Sequence, residues 1–266
     1  VSPASLSVEN DFINVCENEP VFPVASASDY GTLIWTTSGD GYFIDSQVTE
    51  PEYIPGSQDI ASGEVTLTVT VTSVSPCTGN ISENILVNIT ETPQASAGNN
   101  ASVCEGNNFM LNGTASNFSQ ITWSTNGDGT FDDPGQLQTS YTPGGSDIQE
   151  GSVNLTLTAE PLSPCSAAAS DQLTLTVVKK PLSNAGNNLV KCAGEHVNLN
   201  GSAQNYNYVL WTTSGDGTFS NPSAPVSIYM PGDLDIQNQE VNLTLEAFPD
   251  APCQTVVTVI CGRVTS

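Results

Sequence analysis

Two kinds of side chain in this sequence have the types and spacing for chemistry: cysteines and carboxylates. Six of the seven cysteines form two series, Cys16, Cys104 and Cys192, and Cys77, Cys165 and Cys253, each advancing by 88 residues. Cysteines paired at constant spacing point to disulfides and an oxidising, extracellular setting. The expected bonds are Cys16–Cys77, Cys104–Cys165 and Cys192–Cys253. Free thiols, or bonds between neighbouring copies, stand beside that reading because connectivity is not written in spacing. Cys261 is left over, with no counterpart cysteine.

The carboxylates gather at a Gly-Asp-Gly turn that holds Asp40, Asp128 and Asp216, with Asp45, Asp132 and Asp133 close behind it. Oxygen-rich acidic loops hold calcium, and Asn126, Asp128 and Asp132 imitate the alternating ligands of an EF-hand loop. The glycine and distal Glu of such a loop are missing, and Ser220 and Asn221 replace the downstream acids in the third copy. The turn therefore reads as structural, with Asp40, Asp128, Asp132 and Asp216 kept as calcium candidates. Asp59, Asp147 and Asp235, each followed by Ile, read as Asx-turns whose Ile plugs the core. Calcium at the repeat junctions, through these acids or the pairs Asn99/Asn100 and Asn187/Asn188, stays open.

Other chemistries lack their parts. His196 is the only histidine, so it reads as a surface residue, and general-base or His-rich metal chemistry has no second imidazole. No serine sits in a Gly-x-Ser-x-Gly elbow. The Asp132/Asp133 pair has no apolar surroundings to split two pKa values for glycoside cleavage. A Lys–Asn isopeptide bond needs a core lysine, and the first copy has none. No catalytic residue is assigned.

The elements that must carry these residues repeat at the same period. Trp35-Thr-Thr-Ser-Gly-Asp-Gly-Tyr-Phe43 returns as Trp123-Ser-Thr-Asn-Gly-Asp-Gly-Thr-Phe131 and as Trp211-Thr-Thr-Ser-Gly-Asp-Gly-Thr-Phe219. Tyr53, Tyr141 and Tyr229 keep the register, as do Pro55, Pro143 and Pro231. A fixed period of this size marks an array. The copies are read as residues 1–91, 92–179 and 180–266, the last with an atypical end in which the loop after Cys253 looks shortened.

Within the middle copy, Ile121-Thr-Trp123 and Val153-Asn-Leu155-Thr-Leu157-Thr-Ala159 alternate apolar with polar, the period of a half-buried strand. About seven such strands, separated by turn signals and without helical periodicity, predict an all-β immunoglobulin-like sandwich in each copy. Trp35, Trp123 and Trp211 are core residues in that reading. Asn126-Gly127-Asp128-Gly129 predicts a tight hairpin whose glycines supply positive φ. The junctions Glu91-Thr92-Pro93-Gln94 and Lys179-Lys180-Pro181-Leu182 are short and proline-bearing, so three domains in line form a stiff rod of roughly 110 Å at about 3.3 Å per residue.

Composition removes several partners. Four Lys and Arg face 28 Asp and Glu for a net charge of -24, and residues 1–178 hold no basic side chain. Phosphate backbones and anionic membranes both need a basic surface. Nucleic acid is excluded, and no apolar run is long enough to insert in a membrane. Sequons at Asn80, Asn88, Asn100, Asn112, Asn117, Asn154, Asn200 and Asn242 reflect an Asn- and Thr-rich composition.

The unit Ala-Gly-Asn-Asn, Cys-Glu-Gly, Trp-Ser-Thr-Asn-Gly-Asp-Gly-Thr-Phe, Tyr-Thr-Pro, Asp-Ile, Gly-Ser-Val-Asn-Leu-Thr-Leu-Thr-Ala and Pro-Cys, taken from the middle copy, resembles the PKD/Ig-like repeats of very large Bacteroidetes surface proteins. Among these are gliding-motility adhesins exported by type IX secretion. The resemblance covers essentially the whole chain. It implies a cell-surface, extracellular stalk or adhesive filament without an enzymatic site, meeting surface glycans or other cells by avidity. The runner-up is a spacer or glycan-binding module of a secreted polysaccharide-degrading enzyme, with Tyr206, Tyr208, Phe118 and Tyr30 as the aromatics to watch.

Overall fold

The computed structural model describes residues 2–192 and 194–265, with side chains as far as Ile260. Three tandem immunoglobulin-like β-sandwiches make up the chain, with hydrophobic cores drawn from Ala4–Ile89, Ala97–Val177 and Ala185–Ala247. The middle copy shows the plan. Its larger sheet orders Ala101–Cys104, Ala169–Val178, Ser152–Pro161 and Phe118–Thr125 side by side. The smaller sheet orders Phe109–Asn112, Gln138–Thr142 and Thr130–Phe131.

Alternation dictates which face each strand buries. In Ser152–Pro161 the side chains of Val153, Leu155, Leu157 and Ala159 are buried, while the intervening Asn154, Thr156 and Thr158 lie on the other face. Trp123 is 2 % exposed, and Trp35 and Trp211 match it. Burying an indole strands its N–H unless an acceptor is at hand. Trp123 Nε1 donates to the Gln136 carbonyl at 3.1 Å, and Trp35 Nε1 to that of Val48 at 3.0 Å. Phe131 lies between Trp123 and Tyr141, with ring centroids 6.4 Å and 4.9 Å away.

The first strand of each larger sheet decides where the first cysteine goes. Phe12–Cys16 runs parallel to Asn80–Thr90, pairing Cys16 with Thr90, and Ala101–Cys104 runs parallel to Ala169–Val178, pairing Cys104 with Val178. Both cysteines therefore end at the pole where the chain leaves its sandwich. Cys77 and Cys165 sit in loops that precede those final strands, at the opposite pole.

Two turn expectations are corrected. The Gly-Asp-Gly segment is not a hairpin: Phe118–Thr125 pairs with Ser152–Pro161, whereas Thr130–Phe131 pairs with Gln138–Thr142 in the other sheet. The glycines with positive φ among the described residues lie elsewhere, for example Gly63 at 75° and Gly151 at 79°, where they close short helices. Those helices, Ser57–Ser62, Gly145–Glu150 and Asp233–Asn238, occupy the segments read as Asx-turns. A third correction concerns the end of the chain. Val257–Thr265 opens with Val257 opposite Ala247, as Ala169 stands opposite Ala159, so the loop after Cys253 is not shortened. The departure is a bulge between Val241 and Leu243, and Cys261 pairs with Leu243 where Leu173 pairs with Leu155. The Cys261 side chain lies outside the described residues.

Candidate functional site: the polar knot and the repeat junctions

Each Gly-Asp-Gly turn leads into one polar knot. Asp147 is 2 % exposed, and Oδ2 accepts the Tyr141 hydroxyl at 2.7 Å and the Gly144 N–H at 2.9 Å, while Oδ1 accepts the Asp128 N–H at 3.2 Å. Asp128 replies from the surface, where Oδ1 takes the Ser146 and Asp147 N–H groups at 3.0 and 3.2 Å. Those are the open N–H groups at the start of helix Gly145–Glu150, which need acceptors. Because a carboxylate only accepts, the Tyr141 hydroxyl donates to Asp147 and takes its second bond, 3.2 Å, from Thr125. The knot recurs as Asp59 with Tyr53 and Gly56 at 2.5 and 3.0 Å, and as Asp235 with Tyr229 and Gly232 at 2.6 and 3.0 Å.

The glycines are there for space. A Cβ on Gly127 would lie 1.8 Å from Asp147 Oδ1, and one on Gly129 2.4 Å from the Tyr141 hydroxyl. Burial, reinforced by the adjacent carboxylate, pushes the phenols of Tyr53, Tyr141 and Tyr229 up to about 12. The Ser146 N–H, helped by that of Asp147 and opposed by desolvation, holds the Asp128 carboxyl below the usual range.

Of the acids kept as calcium candidates, Asp40, Asp128 and Asp216 are thus engaged with backbone. Asp40 and Asp216 cap their helices as Asp128 does. Asp45 and Asp133 each close a local turn, taking the Gln47 and Gly135 N–H groups at 2.9 Å. Asp132 is exposed. Among the described residues, no three His, Cys, Asp or Glu converge on a point that could hold a metal ion. His196 is exposed, and Tyr206 packs against the third core. Tyr208, half exposed, stacks on Phe248 at 4.2 Å between centroids.

The cysteines do what spacing left undecided. The bonds are Cys16–Cys165 and Cys104–Cys253, each with Cα atoms 4.9 Å apart and a sequence separation of 149. They join neighbouring sandwiches, correcting the expected bonds within each copy. The reason is polar separation: Asn80–Thr90 has 11 residues, so the poles carrying Cys77 and Cys16 stand roughly 30 Å apart at about 3.3 Å per residue. A disulfide needs Cα atoms within about 7 Å. Cys192, third in the series of Cys16 and Cys104, is an exposed thiol.

Around each bond the backbone is clamped. At the first junction the Glu17 carboxylate accepts the Thr92 N–H at 3.1 Å and also the Thr92 hydroxyl, and Asn117 donates to Glu91 at 2.6 Å. At the second, Glu105 accepts the Lys180 N–H at 3.0 Å, and Asn205 donates to the Lys180 carbonyl at 3.3 Å. Pro93 and Pro181 are buried beneath these contacts. The clamps were missed in the sequence; the acids that follow Cys16 and Cys104, Glu17 and Glu105, were their available signal.

No protein family and no curated protein matches the chain by sequence. Among solved structures, an I-band fragment of titin is similar over 100% of this chain and 99% of its own, at 12% identity and a TM-score of 0.55. Mouse cadherin-23 (EC22-24) is similar over 97% and 98%, at 12% identity and a TM-score of 0.49. Extracellular cadherin domains 1-4 of protocadherin gamma B7 are similar over 97% and 76%, at 13% identity and a TM-score of 0.49. The titin fragment supports the fold assignment, tandem immunoglobulin-like sandwiches.

Proposed function

We propose that this chain is a non-enzymatic stalk segment of a large extracellular protein of the bacterial cell surface, with domains at 1–91, 92–179 and 180–266. The observation that carries the reading is the pair of disulfides tying each sandwich to the next. Such bonds resist no chemistry and bind no ligand; their service is to hold successive domains together under load. They also belong to an oxidising compartment. The acidic, hydroxyl-rich surface and the engagement of the knot carboxylates with backbone support the absence of a catalytic site. Adhesion enters through repetition, since weak contacts on many copies act together. The resemblance to surface-adhesin repeats gives gliding motility and type IX export as the context.

The test is the size and domain content of the parent polypeptide. Cells are shaved with a non-tryptic protease, because residues 1–178 offer no Lys or Arg, and the peptides are mass-mapped. A very large chain built mostly of this unit is expected. A modest chain carrying a distinct catalytic domain replaces the stalk reading with that of an enzyme spacer.

A further inference from the structure

We infer that Cys192 is the attachment point for a further copy of this repeat, held by a disulfide to the cysteine of that copy's Pro-Cys loop. The inference rests on the stalk reading and names its next partner. Cys192 belongs to the series whose other members, Cys16 and Cys104, are both bonded to the following sandwich with the same 149-residue separation. Each bonds a cysteine preceded by proline, Pro164-Cys165 and Pro252-Cys253.

The second observation is structural. Leu189–Val190 runs parallel to Val257–Thr265, as Ala101–Cys104 runs parallel to Ala169–Val178, so Cys192 emerges at the same exit pole. The environments then diverge. Cys16 and Cys104, each 6 % exposed, are covered by the neighbouring sandwich, whereas Cys192 is exposed. The receiving geometry is also repeated. The sulfurs of Cys165 and Cys253 lie 3.3 and 3.5 Å from the carbonyls of Thr90 and Val178, the last strand residues of the preceding copy. An incoming loop seated alike on the third copy brings its sulfur to Cys192.

One part of the junction is not repeated. Cys16 and Cys104 are followed by Glu17 and Glu105, which clamp the next backbone; Cys192 is followed by Ala193. The carboxylate clamp of the first two junctions therefore has no counterpart directly after Cys192.

Bond formation balances as an exchange. The Cys192 and partner thiols give up two protons and two electrons, and a protein or small-molecule disulfide accepts them and leaves as a dithiol.

The experiment is non-reducing disulfide mapping of the parent protein from its native source, with accessible thiols first capped by N-ethylmaleimide and a non-tryptic protease used for digestion. The expected result is loss of labelling at Cys192 and its recovery in a cross-linked peptide whose other half contains a Pro-Cys loop of a further repeat. Cys192 carrying N-ethylmaleimide, or linked to Cys261 or to a small thiol, overturns the inference. The map separates this outcome from failure of the stalk reading, which is decided by the parent's domain content and not by the state of Cys192. As a control, C192S in the parent removes only that cross-link and leaves Cys16–Cys165 and Cys104–Cys253 in place.

Discussion

The knot inside each sandwich and the junction between sandwiches solve different problems with different permanence. Asp59, Asp147 and Asp235 each accept from a tyrosine hydroxyl and a glycine N–H, and the partners keep the same offsets in all three copies. At the junctions the sulfur bond is kept while its surroundings change: Thr92 gives Glu17 two donors, but Lys180 gives Glu105 one backbone donor. Buried polar groups leave no latitude, since every lost partner exposes an unmet donor or acceptor. A half-exposed junction has water to fall back on, so its polar contacts drift while the covalent bond does the holding.

The comparison is broken most strongly by cutting the junction bond. When the second sandwich unfolds beside a folded first one, Cys16–Cys165 closes a loop of roughly 75 residues, worth on the order of 4 kcal/mol in the chain-entropy treatment. Reduction, or the double variant Cys16→Ser with Cys165→Ser, is expected to lower the stability of the second sandwich by about that amount in denaturant melts. Pulling makes the same point with a larger signal. With both bonds intact, the taut covalent path jumps from Cys16 to Cys165, returns to Cys104 and jumps to Cys253, leaving about 90 residues, or roughly 300 Å, to extend. Reduced, the chain extends to roughly 900 Å. Equal extensions in the two states would show that these bonds carry no force.

Breaking the knot is the next largest perturbation. Asp147→Ala leaves the Tyr141 hydroxyl and the Gly144 N–H without their acceptor, at a cost of about 3 kcal/mol. Asp59→Ala and Asp235→Ala are expected to cost about as much in their own sandwiches, because each also strips a tyrosine hydroxyl and a glycine N–H of their acceptor. Unequal losses, measured by chemical denaturation, would show that the knots are copies in sequence only.

A pH titration sharpens the contrast further. The phenols of Tyr53, Tyr141 and Tyr229 are raised from 10.0 to about 12 in the fold, so the neutral form is favoured. Their contribution is complete below pH 10 and is lost as pH climbs toward 12. On the acid side, the Asp128 carboxyl is held below its ordinary value, so its contribution is complete above the unfolded value and is lost as pH falls through the folded one. Melting temperature against pH should therefore fall at both extremes in wild type, and the alkaline fall should shrink in Tyr→Phe variants.

What was legible in the sequence follows the same division. Strand faces were readable because alternation at Val153, Leu155 and Leu157 is a local signal. The knot was half readable: Asp147-Ile148 and the Gly-Asp-Gly turn announced themselves, but their contact spans 19 positions between segments of different partners, and the glycines suggested φ where space was the reason. The cysteine bonds were not readable. An 88-residue period makes Cys77 and Cys165 equally regular partners for Cys16, and the choice depends on which pole each occupies. That was fixed by the parallel pairing of Phe12–Cys16 with Asn80–Thr90, a long-range register that no local pattern carries.

The smallest effect separates the two junctions from each other. Glu17 accepts from both the N–H and the hydroxyl of Thr92, whereas Glu105 accepts from the Lys180 N–H alone, and both carboxylates are only partly buried. Truncating either should cost about 1 kcal/mol, with Glu17→Ala the greater of the two. Global melts are too coarse for this, so the measurement is the rate at which a thiol reductant opens each bond in the intact chain. The reductant must reach a sulfur buried between sandwiches, and the clamp opposes the parting that admits it. Glu17→Ala is expected to speed opening of Cys16–Cys165 more than Glu105→Ala speeds opening of Cys104–Cys253, each leaving the other bond's rate unchanged. If neither substitution changes a rate, the carboxylates are bystanders and the sulfur bond with its buried proline alone makes the junction; the Ala193 that follows Cys192 would then mark no weaker attachment than its two predecessors.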